Sequence, residues 1–326
     1  PYPPSAALAE AIADRISEVA PTLNRYPDRD ALVLRDKLAD FINGLSRTKF
    51  GSANVWAANG SNEIIQSLFM AFGGGTALGF TPSYSMHPLI AKVTQVQWLN
   101  GNRREDFTLD IDSAIEQIQR DKPTLTFITT PNNPTGSAVT IEEIEKIAKS
   151  TSGLLIVDEA YAEFSDETSA ATLIEKYPHI VVIRTMSKAF AFAGVRLGYL
   201  IADPAVVDAM FLVRLPYHLS ALTQAAAEVA LDYKGELLGT VAQLRADRDR
   251  VAAQLSEMGL TVIPSSSNFL LFTGFEMPSA QLWQAMLDRG VLIRDVGLLG
   301  YLRVTIGNEA ENTKFISTLS LCLGEK

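Results

Sequence analysis

Apolar residues recur at helical spacing over residues 5–19 and again over residues 31–45, with a turn at Pro21 between the two stretches. From Val55 to Ala202 the pattern changes, and short apolar runs alternate with helical segments. The runs VWAA (from Val55), TALGF (from Thr76), VQW (from Val96), TLTFITT (from Thr124), LLIVD (from Leu154), IVVIRT (from Ile180) and VRLGYLI (from Val195) predict strands. Helices over residues 62–72 and 141–150 fit between them. This alternation predicts an α/β fold with a mainly parallel seven-stranded sheet between helices. Beyond Pro204, helical stretches over residues 204–214, 220–233 and 236–258 give way to the strand-like runs LTVI, NFLLF, VLIRD and YLRVTIG, with helices near 279–289 and 310–321. That is the pattern of a smaller α+β unit. The expected organisation is a large domain over residues 25–215, and a small domain in which residues 1–24, as an N-terminal arm, join residues 216–326.

At 326 residues the chain is long enough for two such units. Apolar residues make up 47% and charged residues 20%, which excludes a disordered, fibrous or membrane chain. The formal net charge of −9 argues against bulk binding to nucleic acid or to an anionic membrane, yet a few converging arginines can still invert the potential of one pocket. The single cysteine, Cys322, rules out an intrachain disulfide and fits a reducing compartment, so a cytoplasmic location is expected. The chain opens on Pro1 rather than Met, which leaves a preceding targeting segment an open question. His87, His179 and His218 are scattered and have no metal-ligand spacing. No apolar run reaches membrane-spanning length, the best stretch being broken by Arg214, Pro216 and His218.

Ligands of such sheets sit beyond the carboxyl ends of the strands, and the polar motifs fall there. In RTMSKAFAFAGVRLGYL, Lys188 follows a strand, with Thr185 and Ser187 beside it and Arg196 eight positions on. A lysine so placed can form an imine with an aldehyde cofactor while hydroxyls and guanidinium hold a dianionic phosphate. A solvated lysine at a strand end is the competing reading. In LLIVDEAYAEF, Asp158 closes an apolar strand, and a shielded carboxylate needs a partner. A pyridinium nitrogen is such a partner, and Tyr161 is placed to bond a ring oxygen. A helix cap or a Walker-B aspartate would also suit Asp158, but no GxxxxGK[ST] loop precedes it. In TTPNNPTG, Asn133 is placed to donate to the same ring oxygen, or the segment is simply a turn. In AANGSNEII, the backbone N–H groups of Ser61 and Asn62 open a helix and suit an anion. In TPSYSMH, Tyr84 is placed either to stack on an aromatic ring or to pack in the core.

The order GSNE, PSY, NNPTG, DEAY, SKAF and then Arg196 resembles the fold-type-I pyridoxal-phosphate aminotransferases over nearly the whole chain. Within that group the chain is similar to the histidinol-phosphate aminotransferase branch, which PYPPS, NRYPD, IRD and YLRVTIG also match. The resemblance implies pyridoxal 5'-phosphate as cofactor, with Lys188 as Schiff-base lysine and proton carrier. It implies that Asp158 salt-bridges the pyridine nitrogen, that Asn133 and Tyr161 bond the ring oxygen, and that Tyr84 stacks on the ring. Ser61, Asn62, Thr185, Ser187 and Arg196 would hold the phosphate. Tyr26 would reach the phosphate of a neighbouring subunit in a homodimer. Arg303 and Arg294 would grip the anionic end of the substrate, with Tyr2 nearby. The residues that usually precede PYPPS in this branch are absent, so the flap over the site is expected to be incomplete. The implied activity is ping-pong transamination between L-histidinol phosphate and 2-oxoglutarate or glutamate, in histidine biosynthesis. An aromatic amino-acid (phenylalanine) aminotransferase, a phospho-amino-acid decarboxylase and a ligand-sensing domain of a transcription factor are the alternatives. No added helix-turn-helix accompanies the chain to favour the last.

Overall fold

A computed structural model describes residues 3–324. The strands of the main sheet are β1 (Val55–Ala58), β2 (Thr76–Thr81), β3 (Gln97–Asn102), β4 (Leu125–Thr129), β5 (Leu154–Asp158), β6 (Ile180–Thr185) and β7 (Gly198–Ile201). They lie in the order β1-β7-β6-β5-β4-β2-β3, and all are parallel except β7, which is antiparallel to both its neighbours. Strands β4 and β6 are buried along their whole length. Both faces of these strands are covered, which is why they read as unbroken apolar runs rather than alternating ones.

The helices are α1 (Ala6–Val19), α2 (Leu32–Ser46), α3 (Ser61–Phe72), α4 (Met86–Val93), α5 (Ile111–Asp121), α6 (Ile141–Ser150), α7 (Pro204–Val213), α8 (Ala221–Asp232), α9 (Lys234–Glu257), α10 (Ser279–Asp288) and α11 (Glu309–Leu323). Their starts are chemically explicit. Ser5 accepts from the Leu8 N–H, Asp110 caps α5, and Thr140 with Glu143 forms a capping box on α6. Besides the two helices named from the sequence between the strands, α4 and α5 also lie there. Two expectations are corrected. The strand expected from Val195 begins only at Gly198, because Arg196 sits at φ 60° and turns the chain there. The run expected to be a strand from Val291 pairs only at Arg294–Asp295.

A second, antiparallel sheet contains β8 (Thr261–Val262), β9 (Phe269–Thr273), β10 (Arg294–Asp295) and β11 (Leu302–Thr305), in the order β10-β11-β9-β8. It is tied to the main sheet near the strand ends. The Ser266 N–H donates to Gly136 O at 2.8 Å, and the buried Arg248 guanidinium donates to both Phe164 O (3.4 Å) and Ser267 O (3.2 Å). Any side chain at Gly136 would strike Ser265, with a Cβ only 2.3 Å from its Oγ. The loops carrying Asn133 and Tyr161 are thus held against the second sheet. The site lies at this junction.

Candidate active site

The parallel strands β1, β2, β4, β5 and β6 deliver their carboxyl ends to one edge of the sheet, and the second sheet closes that edge. Between them lies a cavity of about 430 Å³. It is lined by Ser61 and Asn62 after β1, Tyr84 after β2, Asn133 after β4, Asp158 and Tyr161 at and after β5, and Thr185, Ser187 and Lys188 at and after β6. Arg196 enters from the turn before β7, and Arg294 and Arg303 from the second sheet. Of the expected site residues, only Tyr26 and Tyr2 are not among these. Tyr26 is 80% exposed and stacks on Tyr217 with centroids 4.4 Å apart, away from the cavity of its own chain. Tyr2 lies outside the described residues.

One end of the cavity is built for a dianion. Helix α3 starts at Ser61 after Gly60, whose φ of 85° requires glycine, and no side chain caps its first turn. The guanidinium of Arg196 lies against this turn, where a Cβ on Gly60 would be 2.5 Å from its Nη2. Gly198 allows the approach from below, since a Cβ there would meet the Ser61 nitrogen at 2.5 Å. The Thr185 hydroxyl donates to Ser187 Oγ at 3.1 Å and accepts from the Ser187 N–H, and Arg196 reaches Ser187 Oγ at 3.5 Å. Hydroxyls, a guanidinium and a helix N-terminus therefore converge on one point, the donor set a phosphate monoester requires.

In the middle of the cavity, burial first, then Arg303 and Arg196, push the Lys188 amine below the usual lysine range, with Asp158 opposing them. The amine is therefore nucleophilic closer to neutrality than an exposed lysine. The Asp158 carboxylate is buried, accepting from the Ala160 N–H at 3.2 Å and lying 3.0 Å from His87 Nε2. Burial also pushes the Tyr161 hydroxyl up to about 12, so it stays a donor. Tyr84 is raised too, by burial and then by Asp158, and its hydroxyl donates to Asn62 Oδ1 at 3.1 Å.

From the second sheet, Arg303 donates to Asn133 Oδ1 at 2.5 Å, which leaves the Asn133 amide N–H groups for another acceptor. Burial, and beyond it the charge of Arg294, lowers the Arg303 guanidinium from its ordinary value. Its Nε is buried without a partner. Arg294 stands directly opposite Arg303 in the β10–β11 register. The neighbouring Asp295 does not neutralise it: its Oδ1 accepts from the Gly297 N–H at 2.9 Å, and among the described residues no carboxylate forms an ion pair with Arg294.

The sequence profile of the family "Aminotransferase class I and II" matches residues 1–319. The chain belongs to that family. It is 56% identical over 319 residues to the histidinol-phosphate aminotransferase of Corynebacterium glutamicum (strain R), covering 97% of this chain and 87% of that one. It is 54% identical to the enzyme of the same name from Mycolicibacterium smegmatis, covering 97% and 84%. Among solved structures, the histidinol-phosphate aminotransferase from Clostridium acetobutylicum superposes with a TM-score of 0.86 at 25% identity, over 97% of this chain and 95% of that one. The Sinorhizobium meliloti enzyme of that name, solved with pyridoxal-5'-phosphate, has the same fold, with a TM-score of 0.86 at 22% identity over 98% and 88%.

The aminotransferase site also contains residues that sequence reasoning missed. Asn132, fully buried beside Asn133, accepts from Ser83 Oγ (2.8 Å) and donates to Pro82 O (3.0 Å) and Thr135 Oγ1 (2.8 Å), fixing the turn that presents its neighbour. Arg184 joins Glu159 (2.7 Å) and Glu163 (2.9 Å) in a buried cluster that ties β6 to the segment carrying Tyr161. A legible signal existed for Arg184, a charge inside an otherwise apolar strand. His87 gave a similar signal, a polar residue in an apolar run three positions after Tyr84.

Proposed function

We propose that this aminotransferase moves the amino group between L-histidinol phosphate and 2-oxoglutarate or glutamate, in histidine biosynthesis, with pyridoxal 5'-phosphate as cofactor. The observation that carries the reading is the registered pair Arg294–Arg303, which enters the cavity from the second sheet, whereas Thr185, Ser187 and Arg196 line it from the main sheet. Two guanidinia without a carboxylate partner between them suit a phosphate dianion better than a monoanionic carboxylate. The names of relatives more than 50% identical over nearly the whole chain support the same substrate.

When bound, the cofactor supplies an aldehyde that captures amines and a ring that accommodates the negative charge left on the substrate carbon. The chain's own residues do the rest. Ser61, Asn62, Thr185, Ser187 and Arg196 would hold its phosphate, Asp158 would pair with its ring nitrogen, and Tyr84 would cover its ring. Tyr161 and Asn133 would donate to its ring oxygen. Lys188 Nζ, its pKa lowered by burial and by neighbouring arginines, would be the nucleophile that anchors the cofactor. With its amine free, the same residue would take up and return the substrate proton at Nζ. Arg303 and Arg294 fix the substrate's anionic end and so orient the amine toward Lys188.

The active unit in this reading is a C2 homodimer in which the exposed Tyr26 completes the phosphate site of the partner subunit. Residues 25–215 form the large domain, and residues 1–24 with 216–326 form the small one; α1 packing against α8 supports grouping the N-terminal arm with the later segment. No helix among the described residues is long and apolar enough to cross a membrane, and we place the protein in the cytoplasm.

The test is glutamate formation from 2-oxoglutarate by the cofactor-loaded protein, with histidinol phosphate and phenylalanine compared as donors. A much higher kcat/KM for histidinol phosphate is expected. Preference for phenylalanine would transfer the assignment to an aromatic amino-acid aminotransferase.

A further inference from the structure

Strand β3 runs into Arg103, whose backbone pairs with Leu109 across a short loop. The side chain is buried, and among the described residues no carboxylate forms an ion pair with it. Burial pulls its guanidinium down to about 10, so it still carries its charge at neutral pH. A buried cation without an anion needs polar acceptors. Nη1 donates to Phe107 O at 3.3 Å and to Ser137 Oγ at 3.5 Å, and Nη2 donates to Thr129 O at 3.4 Å. Phe107 holds φ at 66°, a left-handed conformation that is costly for a bulky side chain, and its carbonyl also accepts from Ser137 Oγ at 3.1 Å. Its ring packs edge-on against Tyr301, centroids 5.3 Å apart, just ahead of the strand that carries Arg303. One guanidinium thus joins the end of β3, the end of β4 and the turn that carries Asn133.

The direction of the hydrogen bonds beyond it follows. Ser137 gives its one hydroxyl proton to Phe107 O, so Thr135 Oγ1 must be the donor in its 2.9 Å bond to Ser137 Oγ. That leaves Thr135 Oγ1 accepting from Asn132 Nδ2 at 2.8 Å, which turns Asn132 Oδ1 toward Ser83 Oγ, also at 2.8 Å. Ser83, Thr129, Asn133 and Pro134 line the cavity, whereas Arg103, Asn132, Thr135 and Ser137 do not. We propose that Arg103 is a positioning residue: its donor-only fork fixes the polarity of this network and thereby the turn that presents the Asn133 amide to the cavity. Arg303 holds Asn133 Oδ1 from the second sheet, so the amide is governed by two guanidinia, one directly and one through the turn. This inference rests on the proposed function in that Asn133 is taken as a donor to the cofactor's ring oxygen, but the polarity of the network does not depend on any ligand.

Two substitutions separate the fork from the charge. Arg103→Met fills the space and removes the donors, whereas Arg103→Lys keeps the charge and loses the fork. In cofactor-free protein the amides of Asn132 and Gly136, bonded to Ser137 O and Asn132 O across the turn, should exchange hydrogen about tenfold faster or more in Arg103→Met, with the amides of β5 unchanged. A donor to the ring oxygen of bound pyridoxal 5'-phosphate favours the ionised form of that oxygen. The pH midpoint of the cofactor's visible absorption should therefore rise by about half to one unit in Arg103→Met, the weight of one weakened hydrogen bond. Arg103→Lys should recover less than half of that rise. In an Asn133→Ala background Arg103→Met should move the midpoint no further, because both changes act through one amide. A full rise in that background, or full recovery by lysine, would make Arg103 a mere source of positive charge and overturn the proposal, as would unchanged exchange at both amides. If Arg103→Met does not fold, Ser137→Ala removes the joint between fork and turn and should give the same pattern at smaller size. Failure of the unsubstituted protein to bind pyridoxal 5'-phosphate at all would instead refute the proposed function, and the exchange measurement would still decide the network.

Discussion

Replacing Arg294 with alanine probes the substrate assignment most directly. The side chain is exposed and stands opposite Arg303 across the β10–β11 pair. In the free protein that juxtaposition is unfavourable, by a few tenths to about 1 kcal/mol for like charges directly opposite on antiparallel strands. The substitution should therefore leave Tm equal or slightly raised when no anion is present. With substrate bound the sign reverses. At about 4 Å and an effective dielectric of about 20, one guanidinium attracts a dianion by about 8 kcal/mol and a monoanion by about 4. Solvent reaching Arg294 and the cost of desolvating the ligand reduce these to about 2–4 and about 1–2 kcal/mol. Arg294→Ala should thus lower kcat/KM for histidinol phosphate by about 30- to 1,000-fold, and for phenylalanine by about the square root of that factor. The assay is steady-state glutamate production with each donor, paired with melting curves in buffers with and without inorganic phosphate. Equal losses for both donors, or a lower Tm without phosphate, would refute the argument from paired guanidinia.

Four further outcomes are expected. In Lys188→Ala, borohydride should no longer fix pyridoxal 5'-phosphate to the protein; peptide mapping of the unsubstituted enzyme should place the label on Lys188 and nowhere else. Asp158→Asn conserves volume but removes the charge at the ring nitrogen, and should cost about 10²-fold or more in transamination rate; near-native turnover would remove Asp158 from the mechanism. Because burial and the arginines lower the Lys188 amine, capture of the cofactor by the apoprotein should rise with pH and level off below the ordinary lysine range. Arg303→Met removes one of those positive neighbours, so stopped-flow measurements should find the inflection moved to higher pH, and a downward shift would contradict the electrostatics. Finally, Tyr26→Ala and Lys188→Ala chains are each expected to be weak or inactive alone; mixed dimers should regain activity in about half of their sites only if Tyr26 serves the partner.

Much of this architecture is readable from residue order. A parallel strand covered on both faces must be apolar throughout, so VWAA, LLIVD and IVVIRT announce themselves, and their polar successors fall at the carboxyl ends for the same reason. Local chemistry also marks where helices begin, as at Ser5 and Thr140. The sequence by itself therefore determined the sheet, the edge that carries the site and most of the residues facing the cavity. It could not determine contacts whose partners are distant in the chain. The imidazole of His87 meets Asp158 across 71 positions, and Arg303 meets Asn133 across 170. Nothing periodic links such pairs, because they depend on strand order and on the closure of one sheet against another. The same holds for Arg196, whose left-handed backbone ends a run that apolar pattern alone extends into the strand. It holds also for Arg294, which the pattern places on a strand but which only the β10–β11 register sets opposite Arg303. Hydrophobic periodicity specifies what a segment buries; which charges then face each other is decided by tertiary packing.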